Sequence, residues 1–122
     1  MFFHERCLVL GARIYKLLVN VRRTPVSRDI IDQLVRSGAS IGANVSEARG
    51  AESRADFIHK MAIALKEARE TYYWFAFIEQ AEIFKDPGLI PLRTECDEII
   101  SILVKSITTA KQNLVKITAQ KT

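Results

Sequence analysis

Apolar residues recur along this chain at alternating steps of three and four, in four separate runs. That spacing is the period of an α-helix burying one seam against its neighbours. The first run is Phe3, Cys7, Leu10, Ile14, Leu17 and Val21. It predicts a helix from about Phe3 to Arg22, closed ahead of Pro25, because proline disfavours helical geometry in the residue before it. The second run is Ile30, Leu34, Gly38, Ile41, Val45 and Ala48. It predicts a helix with Ser27 as N-cap and Asp29 in the first turn, ending near Arg49, with Gly50 suited to a left-handed position beyond it. The third run, Phe57, Met61, Ala64, Ala68, Tyr72 and Phe75, follows the capping-box-like pair Ser53 and Asp56 and predicts a long rod to about Phe84. The fourth run is Leu92, Cys96, Ile99, Leu103, Ile107, Ala110, Leu114 and Ile117. It predicts a helix from about Pro91 to Thr118, after the turn KDPGLIP. No segment shows a convincing strand alternation. Short connections make consecutive helices antiparallel neighbours, so the expected architecture is an all-α, up-down-up-down four-helix bundle, one domain over residues 1–122.

The second helix carries an unusual set of small residues: Ser37, Gly38, Ala39, Ser40, Gly42, Ala43, Ser46 and Ala48. Each glycine costs about 1 kcal/mol in helix propensity relative to alanine. A slender face offsets that cost if another helix backbone comes close and gains dispersion contacts along its length. Asn44 borders this face and has two readings: a bond to a facing helix that fixes register, or a half-exposed residue on a helix flank. On the third helix a second apolar row, Ile63, Trp74, Ile78 and Ala81 with Phe77 nearby, lies off the core stripe. An apolar patch outside a core marks an interface, which predicts a homo-oligomer; the competing reading is a central third helix buried more widely than usual.

Charge is distributed unevenly. Residues 1–28 hold six bases against the single acid Glu5, residues 29–98 hold eight bases against thirteen acids, and residues 99–122 hold four lysines and no acid. If helices one and four are neighbours, Arg6, Arg13, Lys16, Arg22 and Arg23 join Lys105, Lys111 and Lys116 in a basic wall able to hold phosphates. The alternative is an ordinary solvated lysine and arginine surface. Nothing resembles a base-reading module, so recognition would be of shape and backbone.

Several classes are set aside. No apolar run approaches the ~18 residues of a membrane span, and charges interrupt the N-terminal apolar stretch, so no signal peptide is expected. Cys7 and Cys96 fit a reducing cytoplasm; their positions near the starts of helices one and four predict opposite ends of the bundle and no pairing. With His4 and His59 the only histidines, and no paired Glu-x-x-His, a metal or catalytic centre is poorly supplied. We expect no enzyme activity and no cofactor.

The stretches SIGANVSEA, ESRADFIHKM and IALKEARETYYW, between Arg36 and Phe77, resemble the four-helix-bundle family of 23S ribosomal RNA intervening-sequence proteins. Its relatives include the accessory variability-determinant proteins of diversity-generating retroelements. The matching residues are Gly42, Asn44, Glu47, Ser53, Asp56, Phe57, Glu67, Glu70 and Trp74, with Ala48 where many relatives have glycine. The resemblance implies a bundle assembled as a ring, typically a pentamer, and association with structured RNA or DNA. In the retroelement branch it also implies partnership with a reverse transcriptase. Most matched positions read as bundle and ring architecture. The competing function is a helical protein-interaction scaffold with no nucleic-acid role.

Overall fold

The computed structural model describes residues 1–21 and 23–121, the Lys121 side chain excepted. Among these residues there are four helices and no strand: α1 (Phe3–Leu18), α2 (Arg28–Arg49), α3 (Arg54–Gln80) and α4 (Leu89–Lys121). Consecutive helices run antiparallel. Ser37 of α2 meets Thr71 of α3, and Glu47 meets Lys60, so α3 retraces α2. Arg6 of α1 meets Glu95 and Glu98, whereas Leu17 lies beside Gly88, so α4 descends along α1. No helix among the described residues is long and apolar enough to cross a membrane.

The seams pack largely as their spacing predicts. Cys7, Leu10, Ile14 and Leu18 of α1 close on Ile31, Leu34, Ile41 and Val45 of α2, and on Ala64, Ala68, Phe75, Cys96, Ile99 and Leu103 from the other two helices. Burial of each large aliphatic side chain contributes about 1.5–3 kcal/mol. Three inward places pass to an adjoining residue: Leu18 is buried where Leu17 was expected, Ile31 where Ile30 was, and Thr71 where Tyr72 was. Tyr72 is 37% exposed, and Thr71 takes the inward place, its hydroxyl 2.9 Å from that of Ser37 and donating to the Glu67 carbonyl at 2.8 Å.

The slender face of α2 is explained by α1. A Cβ on Gly42 would lie 3.3 Å from the backbone carbon of Cys7 and the backbone nitrogen of Leu8. On α1, a Cβ on Gly11 would lie 3.0 Å from the carbonyl oxygen of Gly38. The two helices therefore touch main chain to main chain. Asn44 does not reach across: its amide donates to the Ser40 carbonyl of its own helix at 2.8 Å, which settles the choice in favour of the flank position.

The ends of the helices differ from expectation in physical detail. α1 stops at Leu18, short of Arg22, and Arg22 itself lies outside the described residues. Ser27 stands at the N-cap of α2, but its hydroxyl serves the preceding turn, accepting from the Thr24 amide at 3.0 Å. Gly50 has φ −99°, so the left-handed position expected there is absent. That conformation falls instead on Glu82, φ 54°, just past the end of α3, where the Ile83 amide closes onto the Ile78 carbonyl at 3.1 Å. Ser53 caps α3 as expected, accepting from the Asp56 amide at 3.0 Å, while Asp56 accepts from the Glu52 amide at 3.3 Å. Pro91 falls inside the first turn of α4, where the missing N–H has no intrahelical partner to lose.

Three predictions follow the backbone. Gly11→Ala should lower stability by about 1–3 kcal/mol despite its better helix propensity, because the Gly38 carbonyl cannot retreat without moving a helix. Gly50→Ala, whose nearest contact is 3.8 Å, should leave the melting temperature almost unchanged. Glu82→Gly should raise stability by about 1 kcal/mol by removing a side chain from left-handed backbone. Thermal and urea unfolding of the three variants measures all of this.

Candidate nucleic-acid interface

The expected wall of positive charge on helices one and four does not form, and the reason is length. α1 has 16 residues and α4 has 33, so at 1.5 Å per residue they extend about 24 Å and about 50 Å. Antiparallel packing aligns α1 with the first part of α4, which carries Glu95, Asp97 and Glu98, and leaves the acid-free part of α4 beyond it. Arg6 is consumed there. Its guanidinium donates to both oxygens of Glu95, one through Nε at 3.2 Å, and to Glu98 at 2.8 Å. Arg23 pairs with Asp32 at 3.3 Å. Arg13 and Lys16 are exposed, beside Leu17, Gly88 and Leu92. Lys105 lies 13 residues, or about 20 Å, further along α4 than Leu92. The cations of α1 and those of α4 therefore form two groups with an acidic belt between them.

The α4 group has partners that the sequence reading missed. Where α2 ends and α3 begins, a groove of about 680 Å³ opens against the second half of α4. Arg49 closes α2 and Arg54 opens α3, and both face this groove together with Lys105. All three are exposed, and none forms an ion pair among the described residues. No acid lines the groove. Of the acids close by in sequence, Glu47 accepts from Lys60 at 3.1 Å and Asp56 is turned into the cap of α3, while Glu52, exposed in the turn between the two helices, does not line the groove. Half-buried Phe57, Ile102 and Ala110 supply an apolar lining, and Ser106 and Asn113 add polar groups. Lys116 is exposed on α4 one turn past the groove, whereas Lys111, between Ala110 and Asn113, is exposed on the side of α4 away from it. The signal for Arg49 and Arg54 was the Gly50 break: two cations flanking one short turn are bound to sit at the same end of a bundle.

Along α3 the proposed interface row is partly corrected. Ile78 is fully buried and belongs to the core, because α3 packs against α2 on one side and α4 on the other and so needs a wide apolar arc. Ile63 and Trp74 are half-buried. Trp74 donates to Glu70 at 3.2 Å, and Glu70 also accepts from Arg36 at 2.6 Å. What remains outside is an aromatic ridge in which Tyr73, 56% exposed, meets Trp74 edge to face at 5.0 Å, with Phe77 beside both.

The cysteines are also placed differently from expectation. Arg6 and Glu95 pair across the helices, which brings their neighbours Cys7 and Cys96 to one level of the bundle, near enough to influence each other. Both are free and buried, and burial pushes each thiol up to about 12. Cys96 donates weakly to the Ala68 carbonyl at 3.3 Å. No group of three metal-ligating side chains occurs among the described residues.

A match to the 23S rRNA-intervening sequence protein family runs over residues 3–105. The chain belongs to this family. Among solved structures, a protein of unknown function from the S23 ribosomal protein family of Bacteroides thetaiotaomicron is 39% identical, with a TM-score of 0.76. That match covers 87% of this chain and 98% of the other. No curated protein matches the chain. The family match ends at Lys105, so Ser106, Ala110 and Asn113 of the groove lie past the matched span.

The ion pair at the acidic belt sets an acid limit on stability. Hydrogen bonding from Arg6 holds the Glu95 carboxyl below its ordinary range, and Arg36 does the same for Glu70. A carboxylate depressed in the folded state contributes stability that is present above the unfolded value of about 4.3 and is lost as pH falls through the folded one. Arg6→Gln should therefore flatten the fall in melting temperature below about pH 4.3, while lowering the plateau at neutral pH. Thermal melts across that range check both effects.

Proposed function

We propose that this protein is a non-enzymatic, self-associating nucleic-acid-binding protein that grips the phosphate backbone at the groove formed by Arg49, Arg54 and Lys105. The observation carrying this reading is the groove itself: three cations converge there with no ion pair among the described residues, and none of the described acids lines it. Lys116 extends the positive surface along the same face of α4. Membership of a family described by its link to 23S rRNA supports nucleic acid as the anion. Phosphate contacts of this kind release counterions, so affinity falls steeply with salt.

Self-association is part of the same reading. The aromatic ridge of Tyr73, Trp74 and Phe77 is an apolar surface that a monomer has no use for. Repetition of the groove in a symmetric particle multiplies weak backbone contacts into useful avidity. A second reading, a helical interaction scaffold without nucleic acid, is favoured by one observation. An apolar groove of about 400 Å³ runs between α1 and α2 beside Leu8 and Tyr15, 69% and 55% exposed.

Arg54→Glu combined with Lys105→Glu should weaken binding of a structured RNA about a hundredfold or more at low salt and reduce the salt slope. Arg13→Glu combined with Lys16→Glu, on the far side of the acidic belt, should have a much smaller effect. Gel shifts over a salt series measure this. Unchanged migration of RNA with the native protein at low salt favours the scaffold. Light scattering should give a mass above that of one chain, falling toward it with Tyr73→Ser plus Phe77→Ser; a native mass of one chain removes self-association from the reading.

A further inference from the structure

The groove at the α2–α3 turn has two chemically distinct parts. Of its half-buried side chains, Phe57, Ile102 and Ala110 are carbon surfaces, beside the polar Ser106 and Asn113. Its exposed side chains, Arg49, Arg54 and Lys105, are cations. A site that only tracks a duplex backbone needs the second part and has no use for the first, since paired bases are stacked inside the helix. An unpaired nucleotide presents both a flat apolar face and a phosphate. The volume, about 680 Å³, lies within the range of roughly 300–1,000 Å³ for small-molecule sites.

We infer that the groove receives an unpaired nucleotide of a single-stranded segment, with the base laid against Phe57 and the flanking phosphates held by Arg49, Arg54 and Lys105. The inference rests on the nucleic-acid reading above and names the part of the nucleic acid this groove takes. Stacking on an aromatic ring is tolerant of base identity because every base has a π-face. The Asn113 amide offers a donor and an acceptor to the base edge without demanding one base. The protein therefore prefers loops, bulges and free ends over continuous duplex.

The test uses the full chain, a short single-stranded RNA, the duplex formed by annealing it to its complement, and adenosine monophosphate as competitor. The single strand should bind about ten times or more tighter than the duplex, a difference of the size one stacked base supplies. Phe57→Leu should erase that preference and leave duplex binding alone; Phe57→Trp should keep it. Because Phe57 also packs against the core, Ala110→Leu, which fills the groove from α4, provides an independent variant with the same expected loss. Adenosine monophosphate should displace the single strand, and ribose 5-phosphate, which lacks the base, should not do so at the same concentration. The inference is overturned if both RNAs bind equally and neither Phe57→Leu nor Ala110→Leu alters the ratio, while Arg54→Glu plus Lys105→Glu weakens both. That outcome leaves the backbone grip standing. Absence of binding by either RNA at low salt overturns the grip and the nucleotide pocket together.

Discussion

Unequal helix length governs the chemistry of this protein. Four rods of equal length would put every charge of α4 beside α1 and neutralise little. Here α4 is about twice α1, so packing sorts α4 into two halves. Its acidic half is pressed against Arg6, and its basic half runs out beside the junction of α2 and α3. The groove exists because α2, α3 and α4 continue where α1 has stopped. Its positive character exists because the acids of α4 were used earlier along the rod.

Much of the fold was legible because seam spacing is a direct readout of which side of a helix faces inward. Cys7, Leu10, Ile14 and Leu34, Ile41, Val45 fell where the pattern placed them. The glycines at 38 and 42 announced a close approach, and only their opposite number, Gly11, went unremarked. The larger errors share one cause: seam spacing gives rotation about a helix axis and says little about alignment along it. Alignment decides that Arg6 meets Glu95, that Cys7 and Cys96 share a level, and that Arg13 and Lys105 are far apart. Rotation was itself misjudged on α3, where two flanking neighbours widen the buried arc and draw Ile78 inward while Tyr72 turns out.

The candidate site was half legible. Lys105, Lys111 and Lys116 stood out as cations in an acid-free segment. Arg49 and Arg54 were hidden in the acidic middle of the chain, where a regional count averages them away. Their significance comes from the fate of their neighbours. Glu47 is bound by Lys60 and Asp56 by the helix cap, which leaves Glu52, outside the groove lining, against Arg49, Arg54 and Lys105, so the local balance is more positive than the segment total. Charge totals describe a surface only after each ion pair has been subtracted from it.

The contact of α1 with α2 has a mechanical meaning. Packed helices shift past one another by repacking the side chains between them. Where Gly11 meets Gly38 and Gly42 meets Cys7, there is no such intervening layer, and sliding would drive one main chain into the other. These two helices form a stiff plate. Adjustment to a bound partner falls to parts of the bundle outside this plate, such as the last turns of α4, which run on beyond the start of α1.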